Sequence, residues 1–204
     1  MPGLIRPSRI RGHEGATLAD WDEQAIIARL RARDLEALGE LFRHLGGAMS
    51  TLARSMLRDS AQADDVVEEA LLRVHRAAPG FRGERGLRTW TLRIVANLCR
   101  DQLRRRKFSA GPPEDLPVLQ QLGLSVDPVQ DWDSKMDQKV MAEALEVAIG
   151  KLAADHREAV VMRYRLGLSE AEMSEALGVP AGTVKSRLSR AMVVLRDALK
   201  ELGS

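Results

Sequence analysis

A single cysteine, Cys99, stands among 204 residues. No internal disulfide can form, which fits a reducing compartment. Aromatics are equally scarce, at three Phe, three Trp and one Tyr. Sheet proteins draw on aromatic and β-branched residues, whereas Ala, Leu, Arg and Glu dominate here, so the expected fold class is all-α. No apolar run reaches the roughly 18 residues of a membrane span. Arg6, Arg9 and Arg11 are followed by no apolar stretch, so no secretory signal is read and a cytoplasmic location is expected. His13, His44, His75 and His156 show neither H-x-x-x-H nor E-x-x-H spacing, and there is no C-x-x-C or phosphate-cradling glycine loop. These absences count against an enzyme. No catalytic residue, metal, cofactor or small-molecule substrate is expected, and Cys99 reads as a small buried hydrophobe rather than a nucleophile.

What the sequence does have is charge sorted into blocks beneath a net charge of +2. Residues 59–69 hold Asp59, Asp64, Asp65, Glu68 and Glu69 and no base. Residues 82–107 hold nine bases against Glu84 and Asp101. Residues 108–138 hold six acids against Lys135, and residues 179–200 hold five bases against Asp197. Two basic blocks on either side of an acidic connector read as two nucleic-acid contacts, or as solvated basic helix faces.

Residues 1–21 lack periodicity and contain Pro2, Gly3, Pro7, Gly12 and Gly15, the composition of a disordered arm. Leu35, Leu38, Phe42, Leu45, Met49, Leu52 and Met56 recur at helical spacing, and Gly46-Gly47 is read as a point that can break the stretch into two helices. Ala63, Val66, Val67, Ala70, Leu71 and Val74 form a second stripe, with Asp64, Asp65, Glu68 and Glu69 on its flank. A Pro/Gly loop over 77–86 comes next, then a helix over 87–106 burying Leu87, Trp90, Ile94 and Leu98. Residues 22–107 thus read as a helical bundle and 108–138, with Gly111-Pro112-Pro113, Pro117, Gly123 and Pro128, as a flexible acidic linker. Residues 139–204 form a second helical domain.

The most specific local signal lies in that second domain. Ser169 and Glu172 make an S-x-x-E capping box, Gly178 suits the left-handed stop, and Pro180 can open the next helix. Val184, Leu188, Ala191 and Leu195 give the following helix one buried face. Two short helices about a glycine turn make a helix-turn-helix, whose second helix enters the major groove. Thr183, Lys185, Ser186, Arg187, Ser189 and Arg190 lie off the buried face. Arg187 and Arg190 are the candidate base readers, and Thr183 and Lys185 the candidate phosphate contacts. The alternative is a helical hairpin with a basic outer face.

In the first domain Thr89, Arg93, Asn97, Arg100 and Arg104 form a polar stripe along one helix. The preceding loop places Phe81 near Arg82 and Arg85. An aromatic among cations can stack an unpaired base, although core packing suits Phe81 as well. Trp90 falls on the apolar face and reads as core.

Three stretches together resemble sigma-70 family transcription factors. Residues 63–74 (ADDVVEEALLRV) are similar to their region 2.2, residues 89–105 (TWTLRIVANLCRDQLRR) to region 2.4, and residues 182–191 (GTVKSRLSRA) to region 4.2. With no space for a folded region 3, the chain resembles the extracytoplasmic-function group. His75 stands where that family usually has tryptophan, and Glu68 where it usually has glutamine. The resemblance implies a bacterial initiation factor, of the stress-response kind, that binds core RNA polymerase through the β′ clamp and the β flap. It implies that Asp64, Asp65, Glu68 and Glu69 dock on the clamp. It implies that Phe81, Arg82, Arg85, Arg88, Thr89, Arg93, Asn97, Arg100 and Arg104 read the −10 element of promoter DNA. Thr183, Lys185, Ser186, Arg187, Ser189 and Arg190 would read the −35 element. An anti-sigma factor is the expected inhibitor, and the linker's acids would sit in the polymerase's nucleic-acid channel. A stand-alone helix-turn-helix regulator would leave the acidic helix and linker unexplained, and an adaptor using only the bundle would leave the basic tract 100–107 unexplained.

Overall fold

The computed structural model describes residues 21–83, 86–109 and 138–202. All of the expected arm but Trp21, and nearly all of the acidic connector, lie outside them; Trp21 packs against the core beside His44 rather than belonging to a free arm. Within the described residues the chain forms α1 (Glu23–Arg31), α2 (Leu35–Leu57), α3 (Ser60–Ala77), a 3-10 turn (Ala78–Gly80) and α4 (Leu87–Ser109). The second half forms α5 (Gln138–Lys151), α6 (Ala154–Val160), a π turn (Val161–Arg165), α7 (Glu170–Leu177) and α8 (Ala181–Leu202). The described residues contain no strand, in keeping with the all-α expectation.

Aspartates start the first three helices. Asp22, Asp34 and Asp59 each accept from backbone N–H groups of the turn they precede, satisfying donors that have no helical partner. Between α2 and α3 the chain turns at Arg58, whose φ is 56°, and Asp59 stands immediately after it as the next cap. The first N–H of α4 is capped from a distance, donating to Glu23 Oε1 at 2.8 Å.

α2 departs from the sequence reading in two ways. It runs unbroken through Gly46-Gly47. A Cβ at Gly46 would meet the Phe42 ring at 2.8 Å, so this glycine makes room for a side chain one turn earlier rather than ending the helix. Its buried face is Ala37, Leu41, Leu45, Met49, Leu52 and Met56, while Leu35 and Phe42 are exposed. Counting in threes and fours from Leu35 starts off that face.

α1 to α4 pack around Leu41, Met49, Leu52, Met56, Val67, Val74, Leu92 and Val95. That apolar cluster does not stop at the end of the first half: it continues through Ala159, Val161, Met162, Met173, Leu177 and Val184. A smaller cluster, with Ile149, Leu152, Val160, Ala191 and Leu195, ties α5 and α6 to α8. The two halves therefore meet face to face, with α7 along α4 and α6 against α2.

Arginines line the polar side of this interface. Arg157 on α6 donates to the carbonyls of Met56 (3.1 Å) and Ser55 (3.5 Å) at the end of α2. It also donates to Ile149, Gly150 and Leu152 at the end of α5. The last carbonyls of a helix lack intrahelical partners, and one planar guanidinium serves two helix ends. Arg58 reaches Gly150 O at 3.1 Å, and Arg165 reaches Ser55 Oγ at 3.2 Å.

Candidate nucleic-acid interface

The helix-turn-helix is built as its local residues dictate. Ser169 Oγ accepts from Glu172 N at 3.2 Å, and Glu172 Oε2 accepts from Ser169 N at 2.7 Å. Hydrogen bonds from Ser169 hold the Glu172 carboxyl below the usual carboxylate range. α7 ends at Gly178 with φ 68° and ψ 31°, the left-handed conformation that favours glycine. Ser174 Oγ donates to Val179 O at 2.6 Å and fixes the turn. Pro180 stands just ahead of α8, its carbonyl accepting from Thr183 and Val184. Val184, Leu188, Ala191 and Leu195 are all buried, as their spacing required. Lys185, Ser186 and Arg190 are exposed, and Thr183 and Ser189 are partly so. Arg187 is drawn inward, its Nε 3.5 Å from Asp155 Oδ2.

The α4 stripe is more divided than its spacing suggested. Thr89 is buried, so it does not share a solvent face with Asn97 and Arg104. Phe81 and Trp90 stack with centroids 4.4 Å apart and planes 20° apart, each partly buried. Trp90 and Ile94 thus flank the core rather than sit inside it, while Leu87 and Leu98 are buried as expected. Phe81, Arg82, Gly83, Thr89, Trp90 and Arg93 line an open cleft of about 140 Å³, and Glu175 of α7 forms its remaining wall. Arg82 is exposed, and Arg85 lies outside the described residues. Arg104 is exposed and pairs with Asp101 at 2.9 Å.

Two cations of this set are engaged by the other half of the molecule. Arg88 donates to the Leu166 carbonyl. Arg100 donates to Leu177 O at 3.2 Å and to Asn97 Oδ1 at 3.0 Å, and its Nε lies 3.6 Å from Glu158 Oε1. The structure thus brings part of the candidate −10 set against α7 instead of presenting it freely.

On α3 the acidic row is presented outward. Asp64, Asp65 and Glu68 are exposed, while Val66, Val67 and Ala70 face the core. Asp64 pairs with Arg54 at 3.1 Å. Glu69 pairs with Arg73 at 2.9 Å, and that hydrogen bond lowers the Glu69 pKa.

Sequence reasoning missed the acids of α6. Glu158 is 0% exposed, and neither carboxylate oxygen has a hydrogen-bond partner. Burial pushes its pKa up to about 7, Arg100 and Arg187 pull it back, and Asp155 pushes it up. The one available signal was a glutamate heading the apolar run Ala159-Val160-Val161-Met162. Cys99 lies in the core, where burial first and Glu158 second push its thiol up to about 12. It stays protonated at neutral pH, which removes it as a nucleophile. Among the described residues no cluster of His, Cys, Asp and Glu could hold a metal ion, and no helix is long and apolar enough to cross a membrane.

Comparison with known proteins gives this geometry a context. Residues 41–109 match the model of Sigma-70 region 2, and residues 142–195 that of Sigma-70, region 4. The chain is 36% identical over 180 residues to the ECF RNA polymerase sigma factor SigM of Mycobacterium tuberculosis, covering 88% of this chain and 85% of that protein. It is 28% identical to the ECF sigma factor SigW of Bacillus subtilis, covering 86% and 96%. In fold it is similar to CnrH, solved in complex with the cytosolic domain of CnrY, with a TM-score of 0.64 at 23% identity over 88% of this chain and 97% of that one. It is also similar to RpoE of Bartonella quintana, solved with the anti-sigma factor NepR, with a TM-score of 0.59 at 24% identity over 79% and 96%.

Proposed function

The chain belongs to the extracytoplasmic-function (ECF) group of the sigma-70 family, and from that membership we propose how its surfaces share the work of transcription initiation. The protein gives core RNA polymerase its promoter selectivity. α3 docks on the β′ clamp through Asp64, Asp65, Glu68 and Glu69, an anionic row that steers encounter with a basic partner. α8 enters the major groove of the −35 element and presents Lys185, Ser186, Arg187 and Arg190, with Thr183 and Ser189 at its start and flank. α4 and the loop before it bind the −10 element through Phe81, Arg82, Arg85, Arg88, Thr89, Arg93, Asn97, Arg100 and Arg104.

The observation that carries this reading is the division of α8. One face is fully buried by Val184, Leu188, Ala191 and Leu195, and the opposite face leaves Lys185 and Arg190 exposed at the end that would reach base edges. The cleft beside the stacked Phe81–Trp90 pair, with Arg82 and Arg93 on its rim, supports capture of an unstacked base. Extruding a base costs a few kcal/mol, roughly, which binding the flipped base offsets. Strand opening then arises from unequal affinity for duplex and opened DNA, with no chemistry performed by this chain.

The protein acts in the cytoplasm beside the polymerase, and an anti-sigma protein holds it inactive, as the NepR complex of a fold relative supports. Reconstitution with core polymerase and a promoter library tests the reading. Tight, sequence-selective binding that requires core polymerase is expected. Equally selective binding by the chain alone would make it a stand-alone regulator instead.

A further inference from the structure

α1 lies ahead of residues 41–109, the stretch that matches Sigma-70 region 2, yet it holds the loop that carries Phe81 and Arg82. Glu23, Ile27 and Arg31 recur every four residues and share one face of the helix. At one end of that face Arg31 donates to the Phe81 carbonyl, from Nε at 2.8 Å and also from Nη2. In the middle Ile27 lies beside Gly83, where a Cβ would stand 3.7 Å from Ile27 Cδ1. At the other end Glu23 Oε1 accepts from Leu87 N at 2.8 Å, the first N–H of α4. Between these points Gly86 N donates to Gly83 O at 3.3 Å. α1 is itself fixed. Ile26, Ile27 and Leu30 are buried, and Arg29 bonds Asp34 at 2.7 Å and Glu40 of α2 at 2.8 Å. Trp21, just ahead of α1, stands against His44 of α2 with ring centroids 4.3 Å apart.

We propose that Arg31 and Glu23 are positioning residues for reading the opened −10 strand: α1 fastens the loop at Phe81, Gly83 and Leu87 and so pre-forms the cleft that captures an unstacked base. The role rests on the sigma-factor reading, which supplies the base. The Phe81 peptide is held from both sides, its N–H donating to Ala78 O at 3.1 Å and its carbonyl accepting from Arg31. With that backbone fixed, the Phe81 ring lies nearly flat on Trp90 at 4.4 Å, and the pair forms the aromatic wall of the cleft. Phe81, Arg82, Thr89, Trp90 and Arg93 line the cleft, whereas Arg31 and Glu23 stand behind the loop and act through it. Without Arg31 the loop has to be ordered at the moment of binding, and that ordering is subtracted from the affinity. A loop held beforehand avoids this cost.

The test uses holoenzyme built with the full chain, and a single DNA strand carrying the −10 sequence selected from the promoter library. Affinity for that strand and for its single-base variants is measured by titration. Circular dichroism and core polymerase affinity confirm that each variant folds and assembles; Arg31 is exposed, so its removal leaves the core untouched. Arg31→Ala should bind the strand roughly tenfold more weakly and lose its base preference at one position, that of the captured base. Arg31→Lys should recover part of this, because an ammonium still donates to the Phe81 carbonyl. Glu23→Gln should bind like the unsubstituted chain, because its amide oxygen still accepts from Leu87 N. Arg31→Ala combined with Phe81→Ala should lose little more than Phe81→Ala alone, as two residues acting through one contact do. Losses that add, a loss spread evenly over every position, or unaltered affinity in Arg31→Ala would each overturn the positioning role while leaving the sigma-factor reading intact. Unsubstituted holoenzyme with no base preference at any −10 position would instead remove the reading on which it rests.

Discussion

Arg157 on α6 donates to the carbonyl of Met56 at 3.1 Å, joining the middle of the second half to the last turn of α2. The same guanidinium reaches Leu152 O at 2.8 Å and Gly150 O at 3.0 Å. It therefore stands between two helix ends that would otherwise leave carbonyls unpaired. Burial first, and then Arg58, lower its pKa, but an arginine remains charged at any pH the protein meets.

Arg157→Ala should destabilise the protein by about 2–3 kcal/mol, since several acceptors lose a charged donor at once. Arg157→Lys should recover only part of this, because an ammonium cannot span both helix ends as the planar fork does. Thermal and urea unfolding followed by circular dichroism check the order wild type, Lys, Ala. Equal stability of all three would mean that the two helix ends do not depend on this side chain.

Gly178 tests the turn between α7 and α8. Its φ of 68° is unfavourable for a residue with a Cβ, so Gly178→Ala should cost about 1 kcal/mol. Space is not the obstacle, since a Cβ there would first meet Arg93 Nη2, at 3.9 Å. A loss of this size with −35 selectivity retained would separate the turn's conformational role from any contact with DNA. An unchanged melting temperature would show that the turn tolerates an ordinary residue.

This turn is also the most legible part of the molecule. Ser169, Glu172, Gly178 and the Val184-Leu188-Ala191-Leu195 face each act within a few residues, so their spacing carries the information directly. The fold class is legible for the same reason. What lies across the two halves is not. Nothing in the spacing of Arg100 pairs it with Glu158, because a contact between distant helices leaves no periodic trace. Thr89 has the spacing of the polar stripe, yet it is buried, because a helix face covered by a neighbour takes in polar residues too. Gly46-Gly47 suggests a break because glycine weakens helices, whereas here the Phe42 ring occupies the space that a Cβ at Gly46 would need.

Arg190 is exposed on α8, on the face opposite the buried row. Arg190→Ala should cost about 1–3 kcal/mol at one or two positions of the −35 element and relax the preference there. Competition binding of the holoenzyme against single-base promoter variants measures it. A uniform loss across all variants would mark Arg190 as a phosphate contact instead.

Asp64 and Asp65 are exposed on the acidic side of α3. Reversing both to lysine should weaken core polymerase binding and flatten its salt dependence, because the attraction they supply is screened by ions. Asp64 also pairs with Arg54 at 3.1 Å, but an exposed pair of this kind contributes little to folding. The melting temperature should therefore stay close to that of the unsubstituted chain while core affinity falls. Undiminished core affinity with unaltered salt dependence would mean that α3 is not the docking face.

The buried carboxyl of Glu158 makes the packing of the two halves sensitive to pH. Its pKa is about 7 when enclosed, against an ordinary value of 4.5, so packing takes up a proton between those limits. Below about pH 4.5 the group is protonated whether enclosed or uncovered, and packing carries no ionisation penalty. Above about pH 4.5 the uncovered carboxyl ionises while the enclosed one resists, so the packed form loses stability until about pH 7, where both are ionised. Arg100 and Cys99 of α4, Asp155 of α6 and Arg187 of α8 are the charged and titratable groups that interact with it, burial being the largest influence and the two arginines opposing it. The free protein should therefore expand between about pH 4.5 and 7, read by small-angle scattering at constant ionic strength. Glu158→Gln is the control. A dependence that disappears in that variant belongs to Glu158. A dependence that persists unchanged belongs to other groups, and the enclosed carboxyl then has no part in opening the molecule.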